Sequence, residues 1–342
     1  MQPIPLIRQV VMVPAISYLV GEGVAVDRYL RLAKLSAPTP ETLESLVPLY
    51  QLCDFLSLVA REQGLDDLGF RIAGQLGIEN LGSFGRLVSE AFTFHESIQI
   101  SRELISSYNS GQLIWMERYG DQVRYCQKCV GHLPQDRIRE IVHLGLANAL
   151  SVARVNRGTD WRPTRMELAT DPIDVGAIAP ELNDIPVDFN QPQTSLWFDH
   201  TWLSKPLPAI ESSHLTRADE NERASFRGTG PSRELVGQLE QAIESALGRP
   251  GIGLELTAAI IGFSPRTLQR RLAEQDLSYS RLLQSVRFQT AQRLLRDRRM
   301  PLKEIAGRLS YADLANFIRA FKRWTGVGPN EFRRLHYGDE GR

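Results

Sequence analysis

The chain has 342 residues, which exceeds one typical domain and predicts two. Hydrophobic residues make up 42% and charged residues 23%, and three cysteines are too few for a disulfide scaffold, so we expect a globular protein from a reducing compartment. The net charge of zero is divided unevenly, because residues 232–337 hold 18 Lys and Arg against 10 Asp and Glu, and the remainder holds 22 against 30. This division favours a polyanion partner for the basic third, although a solvated charged surface would have the same composition.

No membrane segment is predicted. The N-terminus, MQPIPLIRQV, lacks the basic region and the long apolar stretch of a leader. No window approaches the roughly 20 apolar residues of a membrane span. We therefore expect a cytoplasmic protein with no membrane partner.

The chain has helical periodicity from residue 16 to about residue 110. In residues 39–63 the apolar side chains recur at steps of three and four, with Thr39 as the expected N-cap and Pro40 in the first turn. This pattern predicts one helix there and another over residues 97–108.

The periodicity then changes to that of strands. Residues 112–117 and 123–130 are rich in β-formers and flank Gly120-Asp121, which predicts a hairpin. A further helix (137–156) and two further strands (165–169 and 195–198) are predicted. Together these elements predict an α+β regulatory or dimerisation domain over residues 1–211, a polar linker with room for a short helix over 212–232, and an all-α domain over 233–342.

A first helix-turn-helix pattern occupies residues 254–274, LELTAAIIGFSPRTLQRRLAE. Gly262 permits the turn, Ser264 is the expected N-cap, and Pro265 fits the first helical position. Leu268 and Leu272 share the inner face of the second helix. Four side chains remain to face outward: Arg266, Thr267, Gln269 and Arg270. Arg and Gln can bond bidentately to the edges of guanine and adenine.

A second pattern follows about fifty residues later. Asp313 is the expected N-cap of a helix that runs to residue 324, with Phe317 and Phe321 on its inner face. Its other side chains are Leu314, Ala315, Asn316, Ile318, Arg319, Lys322 and Arg323. Residues 280–297 predict one spacer helix of roughly 27 Å, which could hold the two units in successive major grooves about 34 Å apart. One pair alone could be an ordinary helical corner, but two pairs on a basic domain favour DNA binding.

Residues 254–334 resemble the DNA-binding domain of AraC/XylS-family regulators, giving a fold of two helix-turn-helix units joined by a long helix. The match is strongest in the tail, IAGRLSYADLANFIRAFKRWTGVGPNEFR, and Leu268-Gln269-Arg270 fits too. The resemblance implies base contacts by Arg266, Gln269, Arg270, Ala315, Asn316 and Arg319, with Thr267 and Leu314 on the same surface. Lys322 and Arg323 would contact phosphates, which position the protein without specifying a sequence.

Two residues depart from the family pattern. Ser310 stands where the family usually has Gly, and if that turn needs positive φ, Ser costs on the order of 1 kcal/mol. Gly328 replaces the usual Ser before Pro329, which would weaken a helix cap. Leu314, Ala315 and Ile318 have no side-chain hydrogen-bond donors. We therefore expect the first helix-turn-helix pattern, residues 254–274, to contribute more base specificity than the second.

The first domain resembles the N-terminal regulatory domain of the AraC branch that includes ornithine-utilisation regulators. The matching segments are LGSFGRLVSEAFTFHESIQ and IPVDFNQPQTSLWFDHTWLSKPLP. The resemblance implies effector sensing, dimerisation or both, and the order of helices before strands does not favour the cupin-type arabinose pocket. Candidate effector contacts are His95, Trp115, Tyr125 and Trp197, although aromatic residues on strands and a lone histidine are more often part of a core.

The pattern from Cys126 to Cys129, followed by His132, raises the alternative of a metal or redox site. In a strand, positions three apart face opposite sides, and a structural zinc site needs a second ligand pair. We therefore expect neither a metal nor a cofactor.

Three classes of function compete for this pattern. No Ser-His-Asp order, Walker loop, HExxH or GxGxxG is found, so we expect no catalytic residue and no enzyme. A DNA-repair alkyl-transferase would need a reactive cysteine in a Pro-Cys-His-Arg setting and a four-cysteine cluster, and an architectural DNA binder would not need the acidic first domain. The sequence therefore predicts a transcription regulator, favoured as an activator, that binds double-stranded promoter DNA as a homodimer, contacts RNA polymerase, and responds to a small-molecule effector or to its own pairing.

Overall fold

The computed structural model of the chain describes residues 3–74, 78–131, 135–155, 161–178, 182–205 and 220–337, so His132 lies outside the described residues. The chain forms two compact units, Met1–Arg233 and Glu234–Arg342. The first unit combines helices with a five-stranded sheet, and the second is helical. The predicted fold class is confirmed.

Helices and one short strand pair make up the first half of the first unit, and the strands of the main sheet lie in its second half. Its elements are β1 (Leu6–Arg8), α1 (Met12–Gly21), α2 (Val26–Leu32), β2 (Leu46–Pro48), α3 (Leu49–Gln63), α4 (Leu68–Gly74), α5 (Gly82–Ser89), α6 (Phe94–Tyr108), β3 (Gln112–Tyr119), β4 (Gln122–Cys129), α7 (Gln135–Val155), β5 (Arg165–Glu167), α8 (Val175–Ile178), β6 (Val187–Asp188), β7 (Thr194–Asp199), α9 (Thr201–Ser204) and α10 (Glu220–Gly228).

The main sheet has the strand order β3-β4-β7-β5-β6. Of its four strand pairs within the described residues, β5 with β6 is parallel and the other three are antiparallel. The predicted hairpin is confirmed, because β3 and β4 pair along their whole length and turn at Gly120, whose φ of 60° glycine adopts without strain. β1 and β2 form a separate antiparallel pair.

The two faces of the main sheet differ in character. The face that carries Val123, Leu196 and Phe198, here called the inner face, belongs to the hydrophobic core of the unit. Trp161 is fully buried and meets the ring of Phe198 edge-on at 6.0 Å between centroids. The opposite or outer face carries charged residues, among them Arg124.

The predicted helix over residues 39–63 is wrong in its first ten residues. Its helical part, α3, begins at Leu49, and Pro48 rather than Thr39 is the N-cap. Residues Leu46–Pro48 pair with β1 instead. A short apolar run fits a buried strand as well as a helix, and a residue that precedes proline disfavours helical dihedrals.

Arg8 of β1 is a buried charged residue with hydrogen-bond partners on three distant segments. Its guanidinium donates to the backbone oxygens of Ser107 at 3.0 Å, Glu44 at 3.1 Å and Phe226 at 2.9 Å. The Glu44 carboxylate accepts a further bond at 3.0 Å. Burial lowers the pKa of the Arg8 guanidinium, and the charge of Glu44 opposes that shift. One side chain thus joins β1 to α6 and α10.

Helix α10 lies inside residues 212–232, for which the sequence predicted a linker. It packs against α5 and α6, and its Phe226 is buried with the Arg8 guanidinium 4.0 Å from the ring centroid. Residues 212–219 lie outside the described range. The polar composition of residues 212–232 gave no indication that Phe226 would be buried. Because its ring packs in the core of the first unit, α10 belongs to that unit.

The second unit consists of short helices around one long helix. Its elements are α11 (Leu235–Ala246), α12 (Leu254–Ile260), α13 (Pro265–Ala273), α14 (Tyr279–Leu295), α15 (Leu302–Arg308), α16 (Leu314–Thr325) and α17 (Pro329–Tyr337). The predicted spacer helix is α14, which is capped by Ser278 and packs against α11 and α15. Over all described ranges, no helix has the length and apolar character that crossing a bilayer requires.

Candidate nucleic-acid interface

The first helix pair, α12 and α13, forms a tight corner. Gly262 has a φ of 75° after α12, and Ser264 caps α13 by accepting a hydrogen bond from the Thr267 N–H at 3.1 Å. Leu268 and Leu272 are buried on the inner side. The side chains of Arg266, Gln269 and Arg270 are exposed, and Thr267 is half-buried. The local fold therefore presents the polar face that the sequence predicted, with both cap and turn confirmed.

The second helix pair, α15 and α16, repeats this plan with other residues. Ser310 occupies the turn with a φ of 59°, and Asp313 caps α16 by accepting from the Asn316 N–H at 2.6 Å. Phe317 and Phe321 are fully buried. The predicted contact residues Ala315, Arg319, Lys322 and Arg323 are exposed, and Leu314 and Asn316 are half-buried.

The two helices can be aligned from their caps. Arg270 and Arg319 each lie six residues after the N-cap. The positions of Arg266 and Gln269 are taken in α16 by Ala315 and Ile318. Because Ala and Ile carry no side-chain donor, α13 can make more hydrogen bonds to base edges than α16.

The two equivalent arginines are held differently. Arg319 donates to the Asn316 side-chain oxygen at 2.6 Å, and Asn316 in turn donates to the Asp313 carboxylate at 2.7 Å. Arg270 has an ion pair with Glu274 at 3.5 Å, and both side chains are largely exposed. Arg319 is therefore oriented by the helix cap, whereas Arg270 keeps more rotamer freedom, which binding would have to restrict.

The turn of the second pair has a set of supports that the sequence did not predict. The Ser310 hydroxyl accepts a hydrogen bond from the Gly248 N–H at 2.7 Å. Arg287 of α14 donates to the backbone oxygens of Leu309 and Ser310, both at 3.0 Å, and covers the ring of Tyr311 at 4.6 Å. These bonds offset part of the cost of a left-handed Ser.

Some basic side chains of this unit serve the fold rather than an outer surface. Arg333 donates to the backbone oxygens of Leu295, Arg298 and Met300 at 3.2, 3.4 and 3.0 Å, where α14 ends. A cation beside the last carbonyls of a helix is favourable. Part of the positive charge of this unit is therefore used inside the fold, and fewer basic side chains than the composition suggests remain for a polyanion.

The four candidate effector contacts of the first unit do not converge. Trp115 and Trp197 lie on the outer face of the sheet, on either side of β4. Tyr125 is on the inner face and buried, and burial raises the pKa of its phenol. His95 lies in the first turn of α6 and is exposed. Only the two tryptophans share a surface.

A charged network, which sequence reasoning missed, separates those two tryptophans. Arg124 of β4 bonds Glu117 at 3.2 Å and Glu167, and its guanidinium lies 5.4 Å from the Trp197 ring centroid. The Trp115 indole donates to Glu117 at 2.9 Å. Hydrogen bonds from Trp115 and Tyr119 lower the pKa of the Glu117 carboxyl. Cross-strand register, unknown from the sequence, brings these groups together.

Cys126 and Cys129 face opposite sides of β4, as strand geometry predicts. Cys126 pairs across from Trp115 on the outer face, and Cys129 pairs across from Gln112 on the inner face. Burial raises the pKa of each thiol to about 12, so both are neutral at pH 7. Within the described ranges, no three His, Cys, Asp or Glu side chains group as metal ligands would.

Two family models match the chain. The model of the "Arabinose-binding domain of AraC transcription regulator, N-term" matches residues 23–207, which is more than half of the 342 residues. The model of a "Helix-turn-helix domain" matches residues 257–335, which include both capped helices.

Similar proteins are transcription regulators. The chain is 27% identical to the ornithine utilization regulator of Pseudomonas aeruginosa, over 86% of this chain and 87% of that protein. It is 24% identical to the transcriptional regulator VirS of Mycobacterium tuberculosis, over 97% of this chain and 90% of VirS. The crystal structure of the transcriptional regulator CdpR from P. aeruginosa aligns at 21% identity and a TM-score of 0.42, over 90% of this chain and 96% of that one.

Proposed function

Since this chain belongs to the AraC family of transcription regulators, and is a DNA-binding regulator with helix-turn-helix units, we propose that α13 and α16 are its recognition helices on promoter DNA. The observation that supports this assignment is their common geometry: each is capped, buries two large apolar side chains four residues apart, and exposes an arginine six residues after the cap. The relatives give no support to an alkyl-transferase or an architectural binder.

We divide the surface into base and phosphate contacts. The proposed base contacts are Arg266, Thr267, Gln269, Arg270, Leu314, Ala315, Asn316 and Arg319. Lys322 and Arg323, which are exposed in the last turns of α16, are proposed to bind phosphates. The protein works by binding in this proposal, with no catalytic residue.

A gel-shift titration tests the assignment on DNA from upstream of the protein's own gene. The double variant Arg270→Ala/Arg319→Ala removes two bidentate donors, each worth about 1–3 kcal/mol, so we expect affinity to fall by at least about tenfold. Arg31→Ala/Arg61→Ala removes two exposed arginines of the first unit and is the matched control. Equal affinities of the two double variants would contradict the assignment.

We further propose that the first units pair, so that a homodimer places two second units on adjacent sites. Pairing raises the effective concentration of the second unit at its site. Light scattering on the full chain should give twice the monomer mass, and binding should be cooperative on DNA with two sites. A monomeric mass with independent binding to each site would contradict pairing.

The regulatory output proposed is activation in the cytoplasm through contact with RNA polymerase, modulated by a small-molecule effector. For the effector, the candidates His95, Trp115, Tyr125 and Trp197 remain proposals, and only Trp115 and Trp197 share a face. A reporter driven by the bound promoter should lose expression when the gene is deleted. Increased expression on deletion would indicate a repressor.

A further inference from the structure

A cavity of about 120 Å³ lies in the first unit, lined by α7 and by the inner face of the main sheet. This volume equals that of about four waters and approaches that of a cavity known to hold benzene. Its apolar wall includes Ile138, Ile141 and Val142 of α7. Its polar lining includes Gln112 and Gln127. None of the four effector candidates taken from the sequence lines it.

A chain of hydrogen bonds fixes which way the polar groups at this cavity point. The Gly111 N–H, which can only donate, gives its bond to the Asn109 side-chain oxygen at 2.9 Å. The Asn109 amide nitrogen therefore donates onward to Gln112 at 3.5 Å. The Gln112 nitrogen then donates to the Gln127 oxygen at 2.9 Å. Each amide orientation follows from the one before it.

The chain of bonds ends on a donor that lacks an acceptor. Gln127 is 4% exposed, and its Nε2 has no partner among the described residues. Buried polar groups are nearly always hydrogen-bonded, so an orphan at a cavity wall indicates an absent acceptor. Thr194, across from Gln127 on β7, also lines the space.

Lys128 is the one charged residue among the described residues that line the cavity, and this restricts the chemistry of the absent acceptor. Lys128 contributes to the wall, but the register places its side chain with Leu113 on the outer face, and it is exposed. The Cys129 thiol at the wall is neutral, because burial raises its pKa to about 12. A carboxylate would enter without a buried cation to pair with, and burying an unpaired charge is strongly unfavourable.

We propose that this cavity binds a small uncharged carbonyl compound, such as an aliphatic amide or ketone. Its oxygen accepts the hydrogen bond of Gln127 Nε2, and its alkyl part packs on Ile141 and Val142. The regulatory purpose of this site rests on the effector sensing proposed for the first unit, but the binding of the compound does not. Binding itself is independent of the DNA contacts, so either can fail without the other.

The experiment uses the full chain with two probes of the same shape, isobutyramide and isobutyrate. Saturation-transfer NMR should show contact with isobutyramide and not with isobutyrate. At about twice its Kd, isobutyramide should slow alkylation of Cys129 by iodoacetamide about threefold, as read by peptide mass spectrometry. Free glutathione alkylated under the same conditions is the control, and its rate should not change.

Three variants separate the proposal from a general loss of structure. Gln127→Leu removes the donor and should abolish isobutyramide contact. Ala169→Val fills part of the cavity without touching the amide chain, and should also abolish contact while the melting temperature is kept. Gln122→Leu, on the same strand but the outer face, should bind as the natural chain does. Equal binding of both probes, binding unchanged by Gln127→Leu and Ala169→Val, or a cavity filled by water alone would overturn the proposal.

Discussion

The two helices proposed to read DNA, α13 and α16, have the same capped backbone geometry but differ in the side chains that they bury and expose. α13 rests on two leucines and exposes Arg266, Gln269 and Arg270, whereas α16 rests on Phe317 and Phe321 and exposes Arg319, Lys322 and Arg323. α13 has hydrogen-bond donors at the two positions where α16 has Ala315 and Ile318, and α16 has the larger buried side chains. If the proposed contacts are right, this difference divides base specificity and phosphate anchoring between two copies of one fold.

The largest expected difference is in stability. The Phe321 ring contacts those of Phe317, Trp324 and Phe332 at 5.7, 6.2 and 5.2 Å. We expect Phe321→Ala to lower the free energy of unfolding by about 3–5 kcal/mol, against the low end of about 2–5 kcal/mol for Leu272→Ala. Urea unfolding of the full chain, compared with the natural chain, measures both losses. Leu335→Ala, at an exposed site, is the control. Equal losses for both core variants would remove the contrast in packing.

The next effect concerns base discrimination. We expect Arg270→Ala to reduce the preference for the natural operator over a scrambled half-site by about 1–3 kcal/mol, and Arg319→Ala to reduce it less. The reason is that α13 has Gln269 where α16 has Ile318, so its half-site is read by more donors. Gel-shift titrations on operators scrambled one half-site at a time measure this. A greater loss from Arg319→Ala would reverse the assignment of reader and anchor.

Lys322→Ala tests the anchoring role of α16. Loss of one phosphate contact should weaken binding to every sequence alike and reduce the slope of log K against log salt by about 0.9. Lys303→Ala, which removes an exposed charge from the first turn of α15, is the matched control. A loss confined to the natural operator would show that Lys322 reads bases.

The smallest effect is at the turns. Ser310→Gly relieves a left-handed Ser by about 1 kcal/mol but removes the bond from the Gly248 N–H, so we expect a net change within about 1 kcal/mol. Ser310→Ala loses the bond without relieving strain and should be destabilising. Gly262→Ser places a left-handed Ser where no supporting hydrogen bond is described. It should therefore lower the free energy of unfolding by more than Ser310→Gly changes it. Thermal unfolding ranks the three, and an unstable Ser310→Gly protein would show that the hydroxyl bond dominates.

Local signals in the sequence were sufficient for the second unit. Ser264 and Asp313 predict where α13 and α16 begin, because an N-cap bonds to a backbone N–H only three residues away. The first unit was harder, because β4 pairs with β7 far along the chain, and that pairing alone brings Arg124 beside Trp197. The cavity beside Gln127 could not be predicted either, since its lining comes from three strands, from α7, and from Ala169, Gln191 and Pro192 between strands. Nothing in the sequence around Arg8 predicts its burial, and only the fold shows that its hydrogen bonds join β1 to α6 and α10.

The packing of α10 against the first unit shortens the length of chain that is left to connect it to α11. Gly230 still lies against Ser107 of α6, so residues 231–234 are the span that remains before α11. Four residues reach at most about 14 Å, whereas residues 212–232 as a free tether would have a root-mean-square length of about 25 Å. For a regulator whose first units pair, such a short tether leaves little slack to absorb a change in operator spacing. Inserting half a helical turn of DNA, about five base pairs, between half-sites should therefore abolish joint occupancy rather than merely weaken it.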